Sequence, residues 1–179
     1  MKASVYIAAT LDGFIARKNG DLDWLPGSDG EPAAGDNDFG NKAFMDSVDV
    51  LIMGRNTYEL VLSFGQWPYG SKRVVVLSNK LTRLSDKLPE TVELRSCPAK
   101  ELYNELQKSG ASHLYIDGGK TIQGFLEADL INEIIITKVP ILIGDGIPLF
   151  GPLSKDKRLK HLETLSFNNG FVQSKYEVV

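Results

Sequence analysis

Short, continuous apolar runs recur along this chain, each closed by a polar or glycine-marked turn and most followed by an amphipathic stretch. Val50 to Met53 is one such run. Its length and β-branched content predict a strand buried on both faces. Gly54 breaks it, and Thr57 and Glu59 open a helical segment running to about Phe64. Arg73 to Leu77 and His113 to Ile116 predict two more buried strands, and Val5 to Ala9 a first one. Phe14 to Ala16, Thr91 to Leu94 and Glu133 to Thr137 read as shorter extended pieces. Phe39, Ala43 and Phe44 form one apolar stripe, with Val48 near its end and Asp36 or Asn37 as the cap. Ala99 to Lys108 predicts a helix with Leu102 and Leu106 four apart and Gly110 as its stop. Thr121 to Glu127 predicts another, starting at Gly118-Gly119. Pro140 to Leu149 reads as extended around Gly144-Asp145-Gly146. Leu162 to Phe167 and Phe171 to Val178 predict a hairpin across Asn168-Asn169-Gly170.

Alternation of strand and helix argues for an α/β fold: a mostly parallel mixed sheet with an antiparallel C-terminal hairpin. At 179 residues, a single domain, 1–179, is expected. The polar, glycine-rich stretch from Arg17 to Asp36 is longer than a simple connection needs, and loops of that length are commonly functional.

Charge narrows the function classes. Net charge is −3 and no basic stripe is present, which argues against a nucleic-acid partner. One cysteine, Cys97, excludes an intrachain disulfide and a cysteine-based zinc site. His113 and His161 are isolated, so no metal site is expected. Met1-Lys2-Ala3-Ser4 is too short and polar for a signal peptide, and no apolar run approaches a membrane span. A cytoplasmic location without a membrane partner is the expectation.

Candidate chemistry gathers at three strand ends: Gly54-Arg55-Asn56-Thr57, Ser78-Asn79-Lys80 and Gly118-Gly119-Lys120-Thr121. A helix start offers unpaired N–H groups and the positive end of the helix dipole. Gly54 admits a ligand close to the backbone, Arg55 adds a charge and Thr57 a hydroxyl, which makes a phosphate cradle. An ordinary βα turn with a capping Thr is the competing reading. In open α/β sheets ligands bind beyond the carboxyl ends of strands, so three such turns suggest a dinucleotide. Gly119-Lys120-Thr121 imitates the end of a P-loop, but Leu114 occupies the required first glycine. No G-x-G-x-x-G opens the chain either.

Together these turns resemble the dihydrofolate reductase superfamily over nearly the whole chain. Lys18-Asn19-Gly20-Asp21-Leu22-Asp23-Trp24 resembles its mobile loop, with Asp23 in place of the usual proline. Gly54-Arg55-Asn56-Thr57 resembles its Gly-basic-x-Thr, Leu77-Ser78 its Leu-Ser turn and Gly118-Gly119 its helix start. Thr10-Leu11-Asp12-Gly13-Phe14-Ile15-Ala16 and the stretch from Ile141 to Phe150 are more similar to the reductase domain of the bifunctional riboflavin-biosynthesis deaminase-reductase. One cysteine cannot supply that protein's zinc deaminase site, and Tyr58-Glu59-Leu60 stands where its reductase has Asp-Asp-Pro. A stand-alone reductase is therefore expected.

The resemblance implies a dihydrofolate reductase-like three-layer sandwich that reduces a C=N or C=O bond in a small heterocyclic or sugar-linked substrate with NADPH. It implies that Gly54, Arg55 and Thr57 hold cofactor phosphates and that Gly118, Gly119, Lys120 and Thr121 receive the pyrophosphate. Ser78, Asn79 and Arg95 are the implied 2′-phosphate contacts, and Ala9 and Ile15 line the nicotinamide. Asn37-Asp38-Phe39 resembles an Asn-acid-Phe triplet, which makes Asp38 the candidate proton relay, with helix-start charge complementarity as its other reading. Trp24 and Phe39 are the candidate substrate walls. Dihydrofolate reduction, or nucleotide binding without turnover, are the alternatives. A homodimer is expected through the apolar pieces Val139 to Ile143 and Ile147 to Phe150, where the related domains are similar in pairing.

Overall fold

The computed structural model describes residues 1–26 and 38–179. Parallel strands occupy the centre because their side chains are apolar on both faces. β3 (Val50–Gly54) and β4 (Arg73–Leu77) bury every interior residue. They lie in an eight-stranded sheet with β1 (Lys2–Thr10), β5 (Val92–Arg95), β6 (His113–Asp117), β7 (Glu133–Val139), β9 (Leu159–Ser166) and β10 (Val172–Val178), in the order β5-β4-β3-β6-β1-β7-β10-β9. β5 to β7 of that order run parallel; β10 joins β7 antiparallel and β9 joins β10 antiparallel. β2 (Phe14–Ala16) and β8 (Ile147–Pro148) make a separate two-stranded pair.

Alternation along β3 sorts the layers. Val50 and Ile52 point toward α3 (Ala99–Lys108) and α4 (Gly119–Glu127), where Leu102, Leu106, Ile122 and Phe125 bury their side chains. Leu51 and Met53 point the other way, toward Phe44 of α1 (Asn41–Ser47) and Tyr58 of α2 (Arg55–Ser63). Each fully buried side chain of this size contributes about 1.5–3 kcal/mol. The result is the three-layer sandwich that the resemblance implies, built on the mostly parallel mixed sheet that the pattern predicts.

Two expectations change. The stretch from Pro140 to Leu149 is largely irregular, not extended, and only β8 within it is a strand. The Asp12 carboxylate accepts the N–H groups of Ile143 (3.1 Å) and Gly144 (2.8 Å), so a side chain replaces a ladder there. The apolar residues expected to be free for a partner are also partly used internally: Val139 and Leu149 are buried. Leu142 and Phe150 of those same pieces stay exposed, and so does every residue of β9. The proposed caps Asp36 and Asn37 fall outside the described residues. No helix among the described residues is long and apolar enough to cross a membrane.

Candidate active site

β3 and β6 are adjacent and parallel, and each runs into a helix through a glycine: Gly54 ends β3, and Gly118 follows Asp117 at the end of β6. The two turns interlock reciprocally. A Cβ on Gly54 would stand 2.7 Å from Thr121 Oγ1, and a Cβ on Gly118 would stand 2.3 Å from Thr57 Oγ1. Each glycine therefore makes room for the threonine three residues into the other's helix. Gly118 also adopts φ +87°, which only glycine tolerates with ease. Gly119 lies beneath Ile15 and Pro148, where a Cβ would stand 3.0 Å from the Ile15 Cδ1 and 3.2 Å from the Pro148 carbonyl oxygen. The starts of α2 and α4 are thereby brought into contact.

Neither start is capped by a side chain, and neither helix has an acid in its first turn. The other helices differ. Asp38 accepts the N–H groups of Gly40 (2.9 Å) and Lys42 (3.0 Å) at the start of α1, and α3 carries Glu101 in its first turn. Of the two helices that converge, α2 carries no carboxylate at its own start; α4 has Asp117, whose Oδ1 accepts the N–H of its N-cap Gly118 (2.8 Å), but neither start carries a side-chain cap, so first-turn N–H groups face the space where an anion would sit.

They open into a cleft of about 1430 Å³. Gly54, Arg55 and Thr57 line it from β3 and α2; Gly118, Gly119, Lys120 and Thr121 line it from β6 and α4. Ser78 and Asn79 line it after β4, and Ile15 lines it from β2. Arg55 is held by Glu59 one turn along α2 (3.1 Å), an exposed pair that costs only about 0.3–0.5 kcal/mol to exchange for another anion. Ser78 Oγ accepts the N–H groups of Lys80 and Leu81, which shapes the turn and leaves its own proton free to donate.

Other sequence-derived candidates lie elsewhere. Ala9 is fully buried in the main core, and the cleft floor is made by Ile7 and Ala8. Arg95 does not line the cleft; Glu105 grips its guanidinium through two N–H groups, and Glu93 lies 3.6 Å away. Trp24 and Phe39 do not line it either. Trp24 is buried with Val139 and Phe171, and Phe39 stacks against Phe171 at 5.4 Å and meets Phe167 edge-on. Asp38 also lies off the lining, and its two backbone hydrogen bonds hold its carboxyl below the usual range.

The structure adds residues that the pattern did not single out. Asp117, the last residue of β6, lines the cleft beside Gly118, whose N–H it accepts at 2.8 Å. Burial pushes its carboxyl up to about 6. Tyr69 lines the same region, and both burial and the neighbouring Asp117 raise its phenol. Lys80, already part of the Ser78-Asn79-Lys80 turn read from the sequence, lines the cleft as well and forms no ion pair among the described residues. Leu22 and Leu25 line it on either side of Trp24 in sequence. A strand ending in Asp before Gly-Gly was the one available signal for Asp117.

A sheet of this order, with a cleft built on the ends of its parallel strands, defines a dihydrofolate reductase-like α/β domain. Residues 2–173 match the RibD C-terminal domain, and the chain belongs to that family, which is a family of reductases. A crystal structure of a candidate riboflavin biosynthesis protein from Shewanella sp. PV-4 is 42% identical, superposes with a TM-score of 0.92 and is covered over 99% of its length by all of this chain. The uncharacterized protein YwjB of Bacillus subtilis (strain 168) is 35% identical over 168 residues, which are 93% of this chain and 92% of that protein. The diaminohydroxyphosphoribosylaminopyrimidine deaminase/5-amino-6-(5-phosphoribosylamino)uracil reductase of Thermotoga maritima shares the fold, with a TM-score of 0.71 at 18% identity. This chain covers 56% of that longer one.

Proposed function

We propose that the chain is an NADPH-dependent reductase of the riboflavin-biosynthesis type, acting on a C=N or C=O bond of a small heterocyclic substrate. The convergence of two helix starts without side-chain caps at the Gly54 and Gly118 seam is the observation that carries this reading. The residues present fit a dinucleotide: glycines where a Cβ would intrude, two helix starts with no side-chain cap, and a cleft with room for a second molecule. Gly54, Arg55 and Thr57 would hold one phosphate, and Gly118 to Thr121 the other. When bound, the cofactor supplies a hydride. Ile7, Ala8 and Ile15 supply an apolar floor that keeps water from the reacting face. Asp117 holds a proton at its carboxyl oxygen and can deliver it to the heteroatom that gains electron density. It takes this role from Asp38, whose oxygens serve the start of α1. Titration of the protein with NADPH, followed by fluorescence, tests the reading; absence of binding at millimolar cofactor would remove it.

Lys80 takes over the 2′-phosphate role from the carboxylate-bound Arg95, with Ser78 and Asn79 beside it. NADPH is expected to bind at least tenfold tighter than NADH, since a charged hydrogen bond contributes about 1.5–3 kcal/mol. Lys80→Ala should remove most of that preference and leave NADH affinity unchanged. Equal losses for both cofactors would place Lys80 elsewhere on the ligand.

A homodimer is proposed as well, with its contact moved to β9. That strand is the sheet edge, and Leu159, Leu162 and Leu165 are all exposed on it. Exposed apolar edge strands invite pairing. Multi-angle light scattering should give twice 19.7 kDa at micromolar concentration, and Leu162→Lys should return the monomer mass.

A further inference from the structure

Polar side chains in the cleft divide by whether the protein already uses them. On the side formed by the loop after β2 and by α2 beyond its first turn, Lys18 pairs with Asp145, and Asn19 donates to Asp21 (2.6 Å). Glu59 holds Arg55, and the Ser63 hydroxyl donates to the Leu60 carbonyl (2.6 Å). Tyr69 differs. It lines the cleft, and its hydroxyl has no hydrogen-bond partner among the described residues.

The loop between α2 and β4 is built to hold that ring. The Tyr69 carbonyl accepts the Lys72 N–H (3.0 Å), which closes the turn before β4. The ring meets Trp67 edge-on at 5.2 Å and packs against the cluster that contains Met53, Tyr58 and Tyr115. Met53 is the register partner of Asp117, and Tyr115 lies two residues before it on the same face of β6. Tyr69 is therefore anchored on the layer from which Asp117 projects. Burial and the Asp117 charge both push its phenol up, so it keeps its proton and serves as a neutral donor.

Resting on the reductase reading above, we propose that Tyr69 is a substrate-binding residue whose hydroxyl donates a hydrogen bond to a ring carbonyl oxygen of the heterocycle that is reduced. Leu60 and Phe64 line the same side and give such a ring apolar cover. A ring lying there takes water from the hydroxyl. That loss is offset only when the ring presents an acceptor, so the group selects among rings as well as binding them. Asp117 delivers the proton, and Tyr69 fixes the ring that receives it.

The test uses Tyr69→Phe, which removes the hydroxyl and keeps the ring on Trp67, so the melting temperature should be unchanged. Calorimetry on the protein saturated with NADP⁺ measures three compounds. 5-Amino-6-(5-phosphoribosylamino)uracil and pterin carry a ring carbonyl; 2,4-diaminopteridine has an amino group in place of that of pterin. The variant is expected to bind both carbonyl compounds about tenfold more weakly, as for one lost hydrogen bond. Its affinity for diaminopteridine and for NADP⁺ should stay within twofold. Equal losses for pterin and diaminopteridine, or no loss for any compound, overturn the proposal. A loss confined to the phosphorylated compound places the hydroxyl at the phosphate and overturns it too, as does failure of both carbonyl compounds to bind the parent protein. A weakened NADP⁺ assigns Tyr69 to the cofactor instead. In each of these cases NADPH binding by the parent leaves the reductase reading standing; its absence removes that reading and this proposal together.

Discussion

Asp117→Asn is expected to lower kcat by about 10²–10⁴-fold, the usual contribution of a positioned proton donor, while NADPH affinity stays within about twofold. Asparagine keeps the size and the acceptor toward the Gly118 N–H, but carries no titratable proton. In the parent enzyme the rate should fall above pH 6, because the carboxyl is pushed up to about 6 and its protonated fraction drops tenfold per pH unit beyond that. The variant should lose this limb. Stability should move oppositely. Burial favours the neutral carboxyl in the folded state, so the folded pKa lies above the unfolded one. Ionisation therefore takes stability away as pH rises from about 4 to about 6, and the loss is complete above that. Asparagine never ionises, so the variant should be more stable at pH 8 by on the order of 1–3 kcal/mol and nearly unchanged at pH 4. Thermal denaturation at both values reads this directly. A variant that is less active and also less stable at pH 8 would mean that Asp117 is a structural hydrogen-bond partner only. Asp38→Asn, by contrast, should leave kcat within about threefold and lower the melting temperature slightly, since asparagine still caps a helix.

The glycine seam gives the second large effect. Gly118→Ala should destabilise the protein by about 2–5 kcal/mol, from backbone strain at φ +87° together with the overlap on Thr57. NADPH binding should weaken at least a hundredfold, because the starts of α2 and α4 can no longer meet. Gly54→Ala should do the same through overlap alone, since Gly54 has φ −84°. The two differ in how they are rescued. Thr121→Ala should restore much of the stability of Gly54→Ala by removing the crowded hydroxyl. Thr57→Ala should restore little in Gly118→Ala, where the backbone strain remains. Denaturant unfolding of the four single and two double variants checks this. Equal rescue in both pairs would show that overlap, not backbone strain, dominates at Gly118.

The fold was legible where burial is two-sided. Arg73 to Leu77 and Ala99 to Lys108 match β4 and α3 at both ends, because a continuous β-branched run and a 3.6-residue stripe each leave one solution. The stretch from Pro140 to Leu149 misled for a physical reason: its apolar residues are buried one at a time by a loop that Asp12 pins from a distance in sequence. In the candidate site, glycines and threonines could be read from the turns, since their need for space and φ is local. Asp117 could not. Its altered acidity comes from sitting at the end of a central strand, and the sheet order that makes β6 central is a tertiary fact. Arg95 shows the converse. Its charge was visible, but the carboxylates of Glu93 and Glu105 that occupy it come from β5 and α3 in the folded state.

The position of β6 carries a consequence for biosynthesis. β1 and β3 are not neighbours; β6, made after both, lies between them. In the complete sheet β6 fills a slot one strand wide, with β1 and β3 two strand spacings apart, about 10 Å. Until His113–Asp117 fills that slot, Gly54 has no Gly118 to face, and the paired helix starts do not exist. The seam thus needs both the early β3 and the late β6, and a ligand captured there would bolt the early and late halves of the polypeptide together by mass action.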